Sequence, residues 1–219
     1  MKSSRFTLLI FDWDGTLADS QAQIVNSFQA AICDLNFEPR TYQQISKIIG
    51  LGLIEGVTTL FPQHSKPELK KFAACYNYHF YRADRLPVTL FPGITELLQQ
   101  LRDAGYKLAV ATGKSRQGLN QALIDTGLTP YFLCTRCADE SISKPNPQML
   151  LEIMIELGKT PQETVMIGDS IYDLQMANNA KVAPIAVSYG VSDKSSLLNC
   201  QPLVCLDDLT QLPAWLANT

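Results

Sequence analysis

The first apolar run of this chain, residues 6–11, stops at two acidic residues that are two positions apart. Such a run is typical of a buried parallel strand, and the Gly-Thr pair behind the acids is typical of the turn that ends it. Because extended side chains alternate with a period of two, Asp12 and Asp14 should face the same way if the backbone stays extended through Trp13. Trp13 should then point away from them, into packing.

Two carboxylates held this close repel each other. The arrangement is costly unless a cation joins them or one of them keeps its proton. The alternative is an ordinary solvated turn, since Asp and Gly are common turn residues. The first interpretation predicts a pocket in which the acids bind a cation or share a proton, and the second predicts an exposed acidic loop.

Behind this strand, strand-like and helix-like segments alternate, with one large insertion of helical pattern between residues 18 and 83. A strand-helix-strand alternation implies a parallel sheet covered on both faces. We predict helices near residues 94–104, 116–126, 147–157 and 171–179, strands near 107–111, 131–134, 164–167 and 183–187, and a last strand and helix between about 203 and 216.

The expected fold is therefore α/β: a Rossmann-like, doubly wound parallel sheet with an inserted α-helical subdomain. We assign residues 1–17 and 86–219 to the sheet domain and residues 18–85 to the helical subdomain. A chain of 219 residues is long enough to bury a core domain together with a smaller one.

Ligands of such sheets bind beyond the carboxyl ends of the strands, so the polar residues at those ends are candidate site residues. Oxygen ligands from few carboxylates suit Mg²⁺, which keeps several waters. The start of a helix favours an anion, and a lysine adds a point charge. This content predicts a site for a phosphoryl group. The candidates are Asp12 and Asp14 after the first strand, Thr112 and Gly113 after the second, Lys144 after the third, and Asp169 and Asp173 after the fourth.

Composition narrows the class of protein. The net charge is -3, with 18 Lys+Arg and 21 Asp+Glu scattered along the chain, so there is no basic stripe for nucleic acid. The first apolar run is too short for a signal peptide or a membrane span, and we expect a cytoplasmic protein that does not bind membranes.

The six cysteines are dispersed, so reduced thiols are expected. Cys134 and Cys137 have the C-x-x-C form of a redox pair or of half a zinc site. No second pair and no paired histidines follow them at zinc spacing, which favours ordinary packing residues.

Taken together and in this order, Asp-x-Asp-Gly-Thr, Thr112, Lys144 and Gly-Asp-Ser-x-x-x-Asp resemble the motifs of the haloacid dehalogenase superfamily. The resemblance is to the phosphoglycolate phosphatase-like branch, in which a helical cap follows the first strand. It covers nearly the whole chain. The second acid, Asp14, separates this branch from the dehalogenases and the phosphonate-cleaving members.

The resemblance implies a Mg²⁺-dependent phosphatase that acts on a small phosphorylated metabolite. Asp12 would be the nucleophile that forms an aspartyl-phosphate, and Asp14 the acid and then the base. Mg²⁺ would be held by Asp12, the Asp14 backbone carbonyl and Asp169, with Asp173 supporting it directly or through water.

The same resemblance implies that Thr112, Gly113 and Lys144 bind the phosphate. A cap loop at residues 47–53, with Gly50, would face the site. Lys114 either reaches the substrate or caps its own loop, and the second interpretation is favoured.

Several alternatives stay open. A sugar phosphomutase or a pyrophosphatase of the same superfamily shares these motifs, and a catalytically silent protein that binds a phospho-ligand could keep them. A response-regulator-like module also gathers acids and a lysine around Mg²⁺. The helical insertion and Asp14 argue against that module. We expect a monomer or a homodimer.

Overall fold

The computed structural model describes residues 5–81 and 89–219 of the chain. Eight strands and ten α-helices lie in these two ranges. The strands are β1 (Leu8–Phe11), β2 (Ala18–Asp19), β3 (Thr89–Leu90), β4 (Lys107–Thr112), β5 (Cys134–Cys137), β6 (Thr164–Gly168), β7 (Ala183–Val187) and β8 (Val204–Leu206). The helices are α1 (Gln21–Leu35), α2 (Tyr42–Ser46), α3 (Leu53–Leu60), α4 (Lys66–Phe80), α5 (Ile94–Asp103), α6 (Arg116–Thr126), α7 (Gln148–Leu157), α8 (Ile171–Asn179), α9 (Lys194–Asn199) and α10 (Leu212–Leu216).

Six strands form one parallel sheet in the order β5-β4-β1-β6-β7-β8. β1 is fully buried and lies in the middle, with Phe11 opposite Val110 of β4 on one side and Ile167 of β6 on the other. The chain first builds the sheet outward through β4 and β5 and then returns to the other side of β1. This reversal makes the carboxyl end of β1 the switch point at which ligands bind in such sheets.

Both faces of the sheet are covered by helices. On one face Phe11 and Val110 belong to a cluster with the buried leucines of α5 and α10. On the other face Ile10 and Met166 pack with Met149 and Ile153 of α7 and with buried residues of α8. The predicted doubly wound α/β fold is confirmed.

The helices α1 to α4 have an apolar core of their own. Its centre is aromatic, with the ring of Phe28 4.7 Å from that of Tyr76 and 5.6 Å from that of Phe72. The short antiparallel pair β2-β3 lies at the root of this helical cap. The expected first boundary, between residues 17 and 18, falls at the start of β2. The second, between residues 85 and 86, lies outside the described residues, so the domain division stays a prediction.

Most predicted elements lie where expected because their ends carry local signals. α6 and α8 occupy the predicted ranges, since Ser115 and Ser170 accept N-terminal backbone N–H groups and α6 ends at Gly127 in the left-handed conformation.

The predicted position of the third sheet strand along the chain, near residues 131–134, was wrong by three positions. Residues 129–131 form a 3-10 turn that contains Pro130, and the strand begins only at Cys134. Proline has no N–H to give to a ladder, so the chain turns there instead of pairing. The aromatic residues that suggested a strand, Tyr131 and Phe132, pack against the sheet cluster from this turn.

The C-x-x-C pair lies within β5 with both thiols buried. Residues three apart on a strand point to opposite faces, and Cys134 and Cys137 indeed join the clusters on opposite faces of the sheet. Burial raises the pKa of Cys134 to about 11 and that of Cys137 to about 12. The prediction of ordinary packing residues is confirmed.

Within residues 5–81 and 89–219, none of the helices combines the length and the apolar character that crossing a bilayer requires.

Candidate active site

The strand ends bring a lysine and two acids into direct contact. Asp12 follows β1, Lys144 lies in the loop between β5 and α7, and Asp173 is in the first turn of α8 after β6. The Lys144 Nζ donates to Asp12 Oδ1 at 2.6 Å and to Asp173 Oδ1 at 2.7 Å. All three side chains are buried. The parallel sheet has therefore brought Asp12 to a lysine that lies 132 positions further along the chain.

Asp169 completes an acidic cluster with Asp12 and Asp173. One carboxylate oxygen from each of the three lies within 4.8 Å of the others. Asp169 accepts from Thr16 Oγ1 at 2.7 Å and from the Val191 N–H at 2.8 Å. These contacts hold the carboxylate in place without neutralising its charge.

Asp173 is held from its other side as well. Its Oδ2 accepts from the Ser170 hydroxyl at 2.7 Å and from the Ser170 N–H at 3.0 Å. This is the reciprocal cap of α8, because the Ser170 hydroxyl also accepts from the Asp173 N–H. Both oxygens of Asp173 are thus engaged by protein groups.

The cluster carries more negative charge than Lys144 can balance. Burial raises the pKa of Asp12 well above its usual range, and repulsion from Asp173 adds to the rise. Burial and Asp173 together raise the pKa of Asp169 to about 7. Burial alone would lower the pKa of Lys144, but Asp12 and Asp173 outweigh it and raise that pKa above the ordinary lysine range.

A divalent cation fits this charge. With all groups ionised, three carboxylates at −1 and one ammonium at +1 leave −2 in a buried space. The donors are all carboxylate oxygens, which are the ligands that hard cations such as Mg²⁺ prefer. The residues present therefore fit a magnesium-type ion.

Asp14 faces the same pocket as Asp12, as expected. Its Oδ1 accepts from the Ser20 hydroxyl at 2.5 Å and lies 3.0 Å from the Lys114 Nζ. Trp13 points into the sheet core, where its ring meets Phe132 edge-on at 6.4 Å. The alternative of an exposed acidic turn is wrong, because both acids are buried.

Lys114 departs from its favoured interpretation as a loop cap. It is the backbone N–H of Lys114 that donates to Thr112 Oγ1, at 3.2 Å. The side chain extends into the pocket, where the Nζ pairs with Asp14 and lies 4.8 Å from the centre of the Phe80 ring. The ammonium is thus placed between the acid of the core and the aromatic wall of the cap.

The loop at residues 48–53 lies directly over the strand ends. Gly50 has φ +105°, and a Cβ there would lie 2.7 Å from Ser170 Oγ. A Cβ on Gly113 would overlap the backbone carbonyl oxygen of Leu51. The Gly52 N–H donates to Ser143 Oγ at 2.8 Å. At Gly113 the core meets the cap backbone to backbone, an approach that glycine permits because it has no Cβ.

The pocket enclosed between the loop and the core is small, with about 70 Å³ of room for water. Among the described residues that line it, Lys114 is the only cation. Thr112 and Lys144 are buried and are not among the residues that line it. The remaining walls are chiefly apolar or aromatic and come from the cap: Ile24, Phe28, Ile48, Tyr76, Phe80 and Tyr81.

The contacts of three polar residues of the site were not predicted from the sequence. Thr16 supports Asp169, Ser20 donates to Asp14, and Ser143 anchors the cap loop. Ser20 carries a weak signal, since it precedes the apolar stripe of α1 as an N-cap residue would. Ser143 carries none, because its partner is ninety-one positions away.

Comparison with known proteins agrees with this architecture. The model of the family "Haloacid dehalogenase-like hydrolase" matches residues 9–187. A relative from Dickeya dadantii, described as "Probable phosphatase IndB", is 34% identical over 209 residues, covering 94% of this chain and 91% of that protein. A phosphoglycolate phosphatase from Agrobacterium fabrum is 32% identical over 214 residues, covering 94% and 90%.

Among solved structures, a hydrolase from Pseudomonas syringae superposes with a TM-score of 0.86 at 25% identity, covering 96% of this chain and 97% of that one. The family match spans the acidic motif, the cap and the later strand ends together. The resemblance seen in the sequence is confirmed, and the chain belongs to the haloacid dehalogenase-like hydrolase family.

Proposed function

We propose that this protein is a Mg²⁺-dependent phosphatase that hydrolyses the phosphate monoester of a small metabolite. The observation that carries the proposal is the contact of Lys144 with both Asp12 and Asp173 beneath a pocket that also holds Asp14. The relatives described as phosphatases support the reaction class.

Asp12 is the proposed nucleophile. Lys144 holds its Oδ1, and among the described residues nothing donates to its Oδ2. That oxygen attacks phosphorus, the bond from phosphorus to the ester oxygen breaks, and an aspartyl-phosphate forms. Lys144 orients the carboxylate for this step, and its charge partly offsets the rise in the pKa of Asp12 that burial causes.

Asp14 is the proposed acid and base. Its two described partners, Ser20 and Lys114, both contact Oδ1, which leaves Oδ2 to carry the proton. Asp14 gives that proton to the leaving oxygen and then takes one from the water that hydrolyses the aspartyl-phosphate. A step of this kind contributes about 10²–10⁴-fold, so positioning and electrostatic stabilisation must supply the rest.

Asp12, Asp169 and the Asp14 backbone carbonyl would hold the magnesium ion. When bound, Mg²⁺ supplies charge neutralisation that lets an anionic carboxylate approach an anionic phosphate. Asp173 supports the ion directly or through water, and its Oδ1 also accepts from Lys144. Thr112, Gly113 and Lys144 bind the phosphate in this proposal, with Gly50 of the cap above them.

The pocket favours a small leaving group with an anionic substituent. Its walls are apolar, its volume is small, and Lys114 offers a charge close to Asp14. A phosphorylated small hydroxy acid such as phosphoglycolate satisfies these conditions. The Agrobacterium fabrum relative, described as a phosphoglycolate phosphatase, supports this class. A cytoplasmic location and a monomeric or homodimeric state stay predictions.

The proposal is tested by phosphate release from phosphoglycolate, sugar phosphates, nucleotides and pyrophosphate, with Mg²⁺ present. Asp12→Asn should lower turnover by about 10⁴-fold or more with the fold intact by circular dichroism, since the nucleophile is lost. The matched control Asp103→Asn, an exposed acid on α5, should keep full activity.

Preferred release from pyrophosphate would identify a pyrophosphatase instead. Interconversion of sugar phosphate isomers without net release would identify a phosphomutase. No reaction of any compound would contradict the proposal and favour a silent binding protein. Activity that survives in Asp12→Asn would overturn the covalent step.

A further inference from the structure

A second group of potential metal ligands lies on the cap, outside the proposed catalytic machinery. It joins Asp34, in the last turn of α1, to Cys75 and His79 of α4. The Asp34 Oδ2 is 2.8 Å from His79 Nε2 and 3.8 Å from Cys75 Sγ. One donor atom from each of the three residues lies within 4.8 Å of the others.

The backbone already holds these donors in place. Cys75 and His79 are four positions apart on α4, so their side chains project from the same face of the helix. Asp34 reaches them from α1, which packs along α4 through the contacts of Phe28 with Phe72 and Tyr76. The three ligands therefore come from two helices whose relative position the aromatic core of the cap fixes.

The chemistry of this set differs from that of the acidic cluster below the cap. Thiolate, imidazole and carboxylate together suit a borderline cation of the zinc type, whereas an all-carboxylate set suits Mg²⁺. With bond lengths of about 2.0–2.3 Å, tetrahedral donors stand about 3.3–3.8 Å apart. The Asp34–Cys75 separation of 3.8 Å already has this value, and the Asp34–His79 separation of 2.8 Å is shorter than it.

We propose that Asp34, Cys75 and His79 bind a divalent zinc-type cation on the surface of the cap, with the fourth position open to water. On binding, the Cys75 thiol loses its proton to solvent and the His79 imidazole binds as the neutral ring, with no change of oxidation state. The Asp34 side chain is about half exposed, which gives the ion access from solvent.

The ion would tie the end of α1 to the end of α4. α4 ends at Phe80, and Phe80 and Tyr81 line the pocket over the acids. A bound ion would therefore stabilise the part of the cap that carries the aromatic wall. The proposal is independent of the phosphatase proposal, since neither reaction nor substrate enters it.

Cobalt is the probe for this site. The reduced protein is titrated with Co²⁺ in excess Mg²⁺, and a thiolate-to-cobalt charge-transfer absorption that saturates at one ion per chain is expected. The all-oxygen acidic cluster cannot produce that band. Zn²⁺ added afterwards should abolish it and raise the melting temperature of the protein.

Three variants decide which residues are responsible. Cys75→Ser should lose the band and the Zn²⁺-dependent rise in melting temperature, and His79→Gln should weaken Co²⁺ binding at least about tenfold, as expected for the loss of a ligand. The matched control Cys33→Ser removes an exposed thiol next to Asp34 and should leave both unchanged.

A wild-type protein without the band would overturn the proposal, as would a band that survives in Cys75→Ser or vanishes in Cys33→Ser. Circular dichroism of each variant separates loss of ligand from loss of fold.

Discussion

The two sides of the pocket differ in polarity: the core side is charged and the cap side is apolar. The core side consists of buried charges held by short hydrogen bonds, with Lys144 between Asp12 and Asp173 and with Asp169 between Thr16 and a backbone N–H. The cap side consists of apolar and aromatic side chains that belong to a separate hydrophobic cluster.

This difference separates reaction chemistry from substrate selection. Under the proposed function, the charged groups at the sheet edge would stabilise a phosphoryl group whatever its leaving group is. The cap would discriminate leaving groups by size and polarity, because its walls are apolar and aromatic side chains that limit the space of the pocket. Lys114 is the exception, a core residue whose ammonium lies between Asp14 and Phe80 of the cap.

The strongest test of the core side is Asp14→Asn. The amide keeps the shape but cannot give or take the proton, so kcat should fall by about 10²–10⁴-fold. Steady-state kinetics on an alkyl phosphate would measure the fall. An aryl phosphate, whose leaving group needs less protonation, should lose less in the first step. A drop smaller than about tenfold on the alkyl ester would mean that Asp14 is not the acid.

Gly113→Ala tests the contact between the core and the cap loop at Leu51. The new methyl group would overlap the Leu51 carbonyl oxygen, so the cap loop must move away and leave the pocket open. We expect kcat/KM to fall about tenfold, or ~1.4 kcal/mol, with the chemistry of the core intact. Gly56→Ala is the matched control, since its nearest contacts would be side-chain atoms of Ile48, with Cδ1 at 3.0 Å, and not a backbone carbonyl oxygen. Equal kinetics of the two variants would show that this contact does not govern closure.

Lys114→Gln tests the charged part of the pocket wall, because Lys114 is the one cation among the described residues that line it. KM for a substrate with a carboxylate in its leaving group should rise several-fold, up to about tenfold, the scale of one partly screened charge. KM for a neutral leaving group should change little. Lys194→Gln, at an exposed pair with Asp207, serves as the control. A uniform change across both substrates would assign Lys114 to support of Asp14 alone.

The smallest effect concerns stability rather than turnover. In metal-free protein the pKa of Asp169 is raised to about 7 by burial and by Asp173, whereas an unfolded Asp titrates near about 3.9. The native state then binds a proton that the unfolded state has lost, so stability should fall as pH rises from about 4 to about 7. We expect the melting temperature to drop by on the order of 5 °C over that range.

Calorimetry in EDTA would measure this drop, and excess Mg²⁺ should reduce it by balancing the carboxylates. Asp12 shifts in the same direction and adds to the effect. A melting temperature in EDTA that instead rises steadily with pH would show that folding does not raise the pKa of these acids.

Much of the fold could be predicted because its signals are local. α6 and α8 carry capping residues at their first positions, and β1 is an uninterrupted apolar run. The acidic cluster was also predictable, since parallel strands deliver their carboxyl ends to one edge whatever the sequences between them. β5 was predicted too early in the chain because the apolar residues beside the proline turn have the composition of a strand.

The secondary structure, the parallel sheet, and the acids and lysine at its switch point could be predicted from the sequence, because periodicity and caps act over short distances and parallel topology follows general rules. The groups that face them could be identified only from the folded molecule. Ser20 and Lys114 meet at the same oxygen of Asp14, and the Gly52 N–H reaches Ser143 across ninety-one positions. Such contacts depend on how the cap lies on the core, and that is set by the packing of two separate hydrophobic clusters rather than by any local pattern.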